Sequence, residues 1–358
     1  MHLAFYAPMK PPGHPVPSGD RSIARSLIAA FEHMGASVCV ASELQTRDRS
    51  GDTDRQRELI ASAETEIDRL VPLGRAAGWQ AWVTYHNYYK APDLIGPNVS
   101  RSLGIPYLQI ESTRARKRLN GPWHAFAQAA EAATDAAEVI FYFTKRDAVG
   151  LEKFALPHQH LIHLPPFLAK TDAPYASVSN GPMLSVGMMR AGDKLASYRI
   201  IAQTLALLPT SDWRLEIAGD GPKRADVEQL MAPFGSRVRF LEELEPDAMQ
   251  RVYQNASLLL WPGVNEALGM VFLEAQAAGL PIVAQNRPGM RELLAPANYP
   301  DQEDGAAGLA KYLSKVLIDN EVRQRLGAEA YAYVCDNHLM KSACKTLQSG
   351  LSLAGVHL

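Results

Sequence analysis

One unit of strand, loop, helix and strand constrains the fold of this chain more than any other feature. Residues 257–261 form an apolar run typical of buried parallel strands. Residues 279–281 end the following helix, and residues 282–284 begin another strand. In an open parallel sheet, the loops after the carboxyl ends of strands form the ligand crevice. The unit therefore predicts an α/β sheet with a ligand site between Trp261 and the helix.

The same unit places two carboxylates around a helix start. The first-turn amides near Leu268 and Met270 suit a phosphate, and Gly269 has no Cβ to hold a diphosphate away. Glu274, about a turn and a half into the helix, suits the diol of a ribose. Glu266 suits the hydroxyls of a sugar beyond the phosphates. The simpler alternative is that Glu266 favours the helix dipole and Glu274 is a solvated surface residue.

The length and the order of elements predict two domains. With 358 residues the chain is long for one core, and 47% of its residues are hydrophobic. A polar stretch with prolines and glycine at 170–182 is suited to a linker. We predict two doubly wound, Rossmann-like domains, 1–168 and 169–340, that face one interdomain cleft, with 341–358 packing back on the first.

Apolar runs and helical patterns alternate in both halves of the chain. Predicted strands lie at 2–7, 37–41, 80–85, 106–110, 138–143, 160–164, 183–186, 214–218, 237–241, 257–261 and 281–285. Predicted helices include 21–34, 56–72, 122–136, 145–154, 303–319, 321–335 and 341–353.

Three blocks of the second half carry a resemblance to a known family. The E-x7-E spacing of Glu266 and Glu274 resembles the signature of retaining glycosyltransferases of family 4, which have the GT-B fold. Residues 184–190 with Lys194, and residues 215–222, are similar to two further blocks of that family. The resemblance covers roughly residues 183 to 295, and the first half matches in outline. It implies a nucleoside-diphosphate sugar donor, retention of anomeric configuration and no obligatory metal or other cofactor.

Two cations follow the strand at 183–186. Arg190 and Lys194 come after a turn that contains Gly192, and the resemblance implies that they clamp the donor diphosphate. Fixed cations stabilise the negative charge that develops as the sugar bond breaks. The alternative is a pair of solvated loop cations that contribute little energy.

The resemblance also assigns the remaining donor-side residues. In the family, a glycine-rich turn corresponding to Gly219 and Gly221 lines the nucleotide side of the cleft, and Gly187 lies in a neighbouring block. Glu243 lies where family members contact the base. In isolation the two turn glycines indicate only a turn. Gly19, in a proline-rich first loop, corresponds to the paired glycines that approach the donor phosphates.

We expect the first domain to hold the acceptor. His86 and Glu111 each end a predicted strand, and Arg114 and Arg116 belong to a basic run that follows Glu111. This charge suits a phosphorylated or lipid-linked acceptor, or an anionic membrane surface. Family members commonly carry a histidine near the position of Glu111, so the acceptor side departs from the family here. A structural histidine and a solvated basic loop are the simpler alternatives.

Composition excludes several other classes. A net charge of -2 gives no global attraction to nucleic acid. Three cysteines without C-x-x-C spacing suggest neither disulfides nor a thiolate zinc site. The simplest setting is therefore the cytoplasm, and the inner face of the membrane is the alternative. His158, His160 and His163 have no accompanying acidic or thiolate cluster, so no metal site is predicted. The oligomeric state is left open.

The sequence therefore predicts a retaining glycosyltransferase that moves a sugar to an acceptor hydroxyl, in surface-glycan, glycolipid or metabolite glycosylation. A GT-B sugar-nucleotide epimerase or hydrolase is the rival within enzymes. A catalytically silent sugar-nucleotide binding protein is the rival outside them.

Overall fold

The structure, a computed structural model, describes residues 1–16, 18–173, 177, 180–209, 212–266 and 268–357. The chain forms two compact units. One comprises Met1–Pro165 together with Met340–Leu358, and the other comprises Pro166–Leu339. The stretch 170–182, expected as a linker, falls in the second unit, and its residues 174–176, 178 and 179 lie outside the described part.

The first unit is built on a six-stranded parallel sheet with the strand order β2-β1-β3-β4-β5-β6. Its strands are β1 (His2–Tyr6), β2 (Ser37–Ser42), β3 (Ala81–Tyr85), β4 (Tyr107–Ile110), β5 (Val139–Tyr142) and β6 (His160–His163). Its helices are α1 (Gly19–His33), α2 (Thr53–Ala77), α3 (Gly96–Leu103), α4 (His124–Ala136), α5 (Lys145–Lys153) and α12 (Met340–Leu353). The last helix packs on α1, β5 and β6, where Gly350 lies against Phe141 and Ile162.

The second unit has a five-stranded parallel sheet with the order β11-β10-β7-β8-β9. Its strands are β7 (Met183–Val186), β8 (Leu215–Ala218), β9 (Val238–Glu242), β10 (Leu258–Leu260) and β11 (Ile282–Val283). Its helices are α6 (Asp193–Ala206), α7 (Arg224–Met231), α8 (Pro246–Asn255), α9 (Met270–Ala277), α10 (Gly305–Ile318) and α11 (Asn320–Asn337). No helix in the described part of the chain is both long and apolar enough to span a membrane.

Each sheet has one point where the strand order reverses. In the first unit it lies between β1 and β3, and in the second between β7 and β10. Loops that leave neighbouring strands at such a point diverge to opposite faces of the sheet and leave a crevice. The loops after β1 and β3, and those after β7 and β10, are therefore where a ligand site is expected in each unit.

Helix α3 is absent from the sequence prediction and is fixed by a buried carboxylate. Asp93, 2% exposed, accepts hydrogen bonds from the amides of Ile95 and Gly96 at 2.9 and 2.7 Å. Its other oxygen accepts hydrogen bonds from the Thr84 hydroxyl at 2.5 Å and the Tyr107 hydroxyl at 2.7 Å. Burial raises the pKa of this carboxyl group above its ordinary value. Asp93 therefore ties the start of α3 to strands β3 and β4, which position the residues after them.

We predict that Asp93→Ala lowers the free energy of unfolding by about 3 kcal/mol or more, because it leaves buried hydroxyl and amide donors without an acceptor. Urea denaturation followed by circular dichroism measures the change. Asp68→Ala, an exposed position on α2, is the control and should stay within about 0.5 kcal/mol of wild type. Equal stability of the Asp93 variant and the control would contradict this role.

Candidate functional site

The loops that leave β7 and β10 bring a lysine and a glutamate of the second unit into contact. The Lys194 ammonium group, on the first turn of α6, donates to Oε2 of Glu266 at 2.6 Å. The indole Nε1 of Trp261 donates to the same oxygen at 3.1 Å. The lysine also lies 5.2 Å from the centroid of the Trp261 ring. The two charged side chains are only 16% and 15% exposed, so the ion pair is held in one geometry.

This contact changes how the two residues can act. Both hydrogen bonds between described residues and the Glu266 carboxylate fall on Oε2, which leaves Oε1 as an acceptor for a ligand hydroxyl. An ammonium group has three donors, so Lys194 can hold Glu266 and still donate to an anion. Sequence reasoning selected the lysine and the glutamate separately, and only the structure shows that they are partners.

Arg190 lies in the same loop and is exposed. No carboxylate among the described residues lies within ion-pair distance of its guanidinium group. Its backbone accepts a hydrogen bond from the amide of Leu195, which fixes the turn that leads into α6. The guanidinium group is therefore free to bind an anion on the carboxyl side of β7.

Helix α9 begins beside the Lys194–Glu266 pair. Its N-cap residue is Gly269, with φ +33°, and no side chain caps the helix or places an acid in its first turn. A Cβ at Gly269 would collide with the Phe272 ring and crowd the Glu266 side chain, so glycine is required here by packing. Leu268 and Met270, on either side of it, are half-buried. The Phe272 amide donates to the carbonyl oxygen of Gly269 at 2.8 Å, which leaves the first-turn amides of Met270 and Val271 for an anion.

Glu274 lies further along α9 and is held from within the second unit. The hydroxyl group of Tyr253 on α8 donates to its Oε2 at 2.8 Å. Burial raises the pKa of the Glu274 carboxyl group, against the hydrogen bond from Tyr253 and the nearby charge of Lys170. Glu274 is thus a fixed, partly desolvated acceptor, and its partner Tyr253 is not indicated by any sequence pattern.

The glycines expected to line the nucleotide pack two loops together. A Cβ at Gly219 would collide with the carbonyl group of Gly187, and one at Gly221 with the carbonyl group of Met189. Their φ angles of 136° and 150° also favour glycine. The amide of Met189 donates to the carbonyl oxygen of Asp220 at 2.8 Å, so the loops after β7 and β8 are joined. Packing alone explains these glycines, whether or not a nucleotide lies beside them.

Glu243 follows β9 and is exposed. No ion pair or hydrogen bond of its side chain is found among the described residues. Its contact with a base stays a prediction from the resemblance.

In the first unit, three ionisable side chains meet at the sheet reversal. Nδ1 of His86 lies 3.2 Å from Oδ1 of Asp20 and 3.5 Å from Oε2 of Glu111. Asp20 stands in the first turn of α1, and the other two residues follow β3 and β4. The side chains are 29%, 18% and 14% exposed for Asp20, His86 and Glu111 respectively. Sequence reasoning had named the histidine and Glu111 but had not linked them to Asp20.

The backbone brings this trio together at a conformational cost. His86 and Glu111 have φ values of 67° and 58°, which non-glycine residues rarely adopt and which cost about 1–3 kcal/mol each. Ladder hydrogen bonds hold both residues: the His86 amide donates to Ile110, and the Glu111 amide donates to Phe141. Strain of this kind tends to occur at functional sites.

The charges of the trio depend on one another. Burial lowers the pKa of His86, but Glu111, Asp20 and Asp147 outweigh it and raise that pKa above its usual 6.5. Burial raises the pKa of Glu111. Burial would also raise the pKa of Asp20, but the contact with His86 lowers it overall. A protonated His86 that bridges two carboxyl groups is the state these contacts favour.

Gly19 begins α1 behind the proline-rich loop. A Cβ there would meet no atom within 4 Å, so packing does not require glycine at this position. Ser18 caps the helix by accepting from the Arg21 amide at 3.3 Å. The Arg21 side chain donates to the carbonyl groups of His14 and Pro15, which ties the loop to the helix. Pro17 of this loop lies outside the described residues.

The basic run after β4 divides into residues with different surroundings. Arg114 is turned inward: its side chain is 3% exposed and pairs with Glu131 at 2.8 Å and Asp135 at 2.7 Å. Two carboxylates of helix α4 therefore pair with this guanidinium group, and the contact of Arg114 with an acceptor stays a prediction. Arg116 is exposed, with its guanidinium group 4.5 Å from the centroid of the Phe154 ring.

No group of three or more histidine, cysteine, aspartate or glutamate side chains that could hold a metal ion occurs among the residues the structure describes.

Comparison with known proteins connects the second unit to a family. Residues 193–333 match the family model described as glycosyl transferases group 1. The D-inositol 3-phosphate glycosyltransferase of Corynebacterium diphtheriae is 32% identical over 160 residues, which are 42% of this chain and 37% of that protein. The sulfoquinovosyl transferase SQD2 of Arabidopsis thaliana is 28% identical, over 37% of this chain and 26% of its own length. The alignments thus span well under half of both relatives.

Solved structures resemble the chain over nearly its whole length. Sucrose-phosphate synthase from Thermosynechococcus elongatus has a TM-score of 0.71 at 15% identity and covers 97% of each chain. HepE of Anabaena, in complex with UDP and glucose, has a TM-score of 0.68 at 14% identity and covers 98% of this chain and 99% of its own. The predicted GT-B fold, with two Rossmann-like domains, is therefore confirmed.

We predict that His86 titrates above its usual pKa of 6.5 and that Glu111→Gln lowers its pKa, because one carboxylate partner is lost. The imidazole resonances of the full chain, followed by NMR against pH, measure both values. Glu152→Gln, at an exposed position on α5, is the control and should leave the His86 titration unchanged.

The same shift has a consequence for stability. His86 binds its proton more tightly in the folded than in the unfolded chain. Its contribution to the free energy of unfolding is therefore full below about pH 6.5 and is lost as pH rises through the folded-state pKa. Urea unfolding of wild type and His86→Gln should therefore differ more at pH 6 than at pH 9. A constant difference, or the same pattern in the exposed His2→Gln control, would contradict this linkage.

Proposed function

We propose that the protein is a glycosyltransferase that moves a sugar from a nucleoside-diphosphate sugar to an acceptor hydroxyl, with retention of anomeric configuration. The observation that carries the proposal is the arrangement at the β7–β10 reversal, where the loops that leave the two strands carry Arg190, the Lys194–Glu266 pair and the start of α9. The match of residues 193–333 with group 1 glycosyl transferases supports it.

The donor diphosphate would lie across the start of α9. The first-turn amides near Gly269 offer hydrogen-bond donors and the positive end of the helix dipole. Lys194 and Arg190 add two cations from the neighbouring loop. As the bond to the sugar breaks, negative charge accumulates on the leaving diphosphate, and donors that are already fixed stabilise it without reorganisation.

Glu266 and Glu274 would hold the two ends of the donor. Oε1 of Glu266, which no described residue occupies, would accept a hydrogen bond from the transferred sugar, while Oε2 stays with Lys194. This pairing would link recognition of the sugar to the position of the cation beside the diphosphate. Glu274, fixed by Tyr253, would accept a hydrogen bond from the ribose diol.

The acceptor would bind on the first unit, where Asp20, His86 and Glu111 meet. A protonated imidazole between two carboxyl groups presents both donors and acceptors to a hydroxyl-rich molecule. Glu111 would here take part in sugar or acceptor binding through His86 rather than as a separate contact. Among the donors, UDP-glucose is the first to test, because the similar HepE has been solved with it.

We predict that Arg190→Gln and Lys194→Gln each lower kcat/KM for the donor by about 10²–10³, because each removes a charge that stabilises the leaving diphosphate. Release of nucleoside diphosphate from UDP-, GDP- and ADP-sugars measures the rate. Arg199→Gln removes an exposed charge from the same helix α6 and should keep wild-type activity. Equal losses in all three variants, at unchanged melting temperatures, would contradict the assigned roles.

The same assay separates the rival functions. A transferase needs an acceptor for rapid turnover and gives a product whose anomeric configuration, read by NMR, equals that of the donor. Equally fast conversion of the donor without any acceptor would indicate a hydrolase or epimerase. Nucleotide binding without turnover would indicate a silent binding protein.

We predict that Glu274→Gln weakens nucleoside diphosphate binding about tenfold and removes the preference for a ribose diol, because a charged acceptor is lost. Calorimetry with UDP and its 2′,3′-dideoxy analogue measures both effects, and ADP and GDP serve if uracil is not the base. Tyr253→Phe is the matched control, since it removes the internal donor to Glu274 and leaves the carboxylate. A wild type that binds both analogues equally would show that Glu274 is a structural residue.

A further inference from the structure

Two basic residues and two aromatic residues of the first unit form what we call the cation–aromatic cluster: Tyr89, Lys90, Arg118 and Trp123. Tyr89 and Lys90 lie in the loop after β3, Arg118 lies in the short helix after β4, and Trp123 precedes α4. The Tyr89 and Trp123 rings meet edge to face, with centroids 5.7 Å apart and planes at 85°. Neither cation was selected from the sequence as a site residue.

Both cations stand over the same pair of rings. The Lys90 ammonium nitrogen lies 5.7 Å from the Tyr89 centroid and 5.2 Å from the Trp123 centroid. The Arg118 guanidinium carbon lies 5.2 Å and 5.6 Å from the same two centroids. Cation–π attraction orients each side chain, and the rings remove part of its contact with water. Two like charges thus lie within 5.7 Å of the centroids of the same two rings.

The two cations of the cluster have no anionic partner among the described residues. Among the described residues, no carboxylate lies within ion-pair distance of either cation. Two donors of the cluster, Nε of Arg118 and Nε1 of Trp123, are buried and have no hydrogen-bond acceptor in the described protein. Buried donors are nearly always satisfied in folded proteins, so these two point to an acceptor that the described residues do not supply.

From these observations we propose that the cation–aromatic cluster binds an oxyanion, of the chemistry of a phosphate ester. The two cations supply charge, and the indole and guanidinium N–H groups supply hydrogen bonds to its oxygens. Neither the donor site in the second unit nor the Asp20–His86–Glu111 trio includes any of these four residues.

A row of ring contacts links the cluster to that trio. The His86 imidazole lies 5.0 Å from the ring of Tyr88, and Tyr88 lies 5.6 Å from Tyr89. Aromatic faces suit the apolar sides of sugar rings, which leaves the hydroxyl groups free for polar partners. If the proposed function holds, on which this step rests, the oxyanion belongs to the acceptor, whose reacting hydroxyl lies toward His86.

The cluster can be tested independently of catalysis, because its tryptophan is a local reporter. We propose titrating the full chain, labelled with ¹⁵N at indole nitrogens, with inorganic phosphate. Trp123→Phe identifies the Trp123 signal, which is expected to shift saturably. Lys90→Gln and Arg118→Gln should each weaken that response at least fivefold. Lys90→Arg and Arg118→Lys keep the charges and should retain most of it.

Lys117→Gln is the matched control. It removes an equal charge from the same short helix, but the side chain is exposed and has no contact with the two rings. A Trp123 signal that does not move, with no binding in the vesicle arm below, would overturn the proposal. Equal weakening by Lys117→Gln would also overturn it, since a diffuse basic surface would then explain the binding.

The Trp261 indole keeps this test separate from the proposed function. Its Nε1 donates to Glu266 in the second unit, so its signal reports donor binding. A response of Trp261 to UDP, with neither a response of Trp123 to phosphate nor binding to phosphatidylglycerol vesicles, contradicts only the present inference. A response of Trp123 to phosphate without a response of Trp261 to UDP contradicts only the assignment of the donor site.

A second arm distinguishes a soluble from a lipid-borne oxyanion. Sedimentation with phosphatidylglycerol vesicles, against phosphatidylcholine vesicles, measures binding to an anionic headgroup. A Trp123 response to soluble phosphate alone indicates a soluble ester. Binding to phosphatidylglycerol that Lys90→Gln and Arg118→Gln lose, and Lys117→Gln keeps, indicates a headgroup.

Discussion

The parallel arrangement of every strand in both sheets is the constraint on which the rest of the structure depends. A parallel sheet is covered by helices on both faces, so its strands are apolar and its polar groups are displaced to the strand ends. The carboxyl ends of all strands in a sheet share one edge, which concentrates ionisable side chains there. The Lys194–Glu266 pair and the Asp20–His86–Glu111 trio both lie at such an edge, at the reversal of strand order.

The two sites differ in how their geometry is maintained. In the second unit, glycines allow the loops after β7, β8 and β10 to approach one another. A hydrogen bond from Trp261 holds the Glu266 side of the Lys194–Glu266 pair. In the first unit, His86 and Glu111 adopt a backbone conformation that is rare for such residues, and ladder hydrogen bonds maintain it. Packing therefore orders the proposed donor side, whereas backbone hydrogen bonds hold the trio in a strained conformation.

The basic run after β4 shows where sequence reasoning reaches its limit. As a sequence, Arg114, Arg116 and Arg118 are three alternating arginines on one segment. In the structure the first is buried between two carboxylates, the second lies on Phe154, and the third joins Lys90 over Tyr89 and Trp123. Their partners come from several different elements of the first unit, and no local pattern specifies them.

The sequence by itself determined the α/β alternation, the strand positions and the loop residues Glu266, Arg190 and Lys194, because these depend on apolar period and on which residues follow a strand. It missed α3, a helix of eight residues that begins with Gly96 and a proline and is fixed by the buried Asp93. Only the tertiary structure decided which side chains meet: Glu266 with Lys194, Glu274 with Tyr253, His86 with Asp20 and Glu111. Those contacts join residues that whole helices or strands separate along the chain, so burial and charge in three dimensions select them.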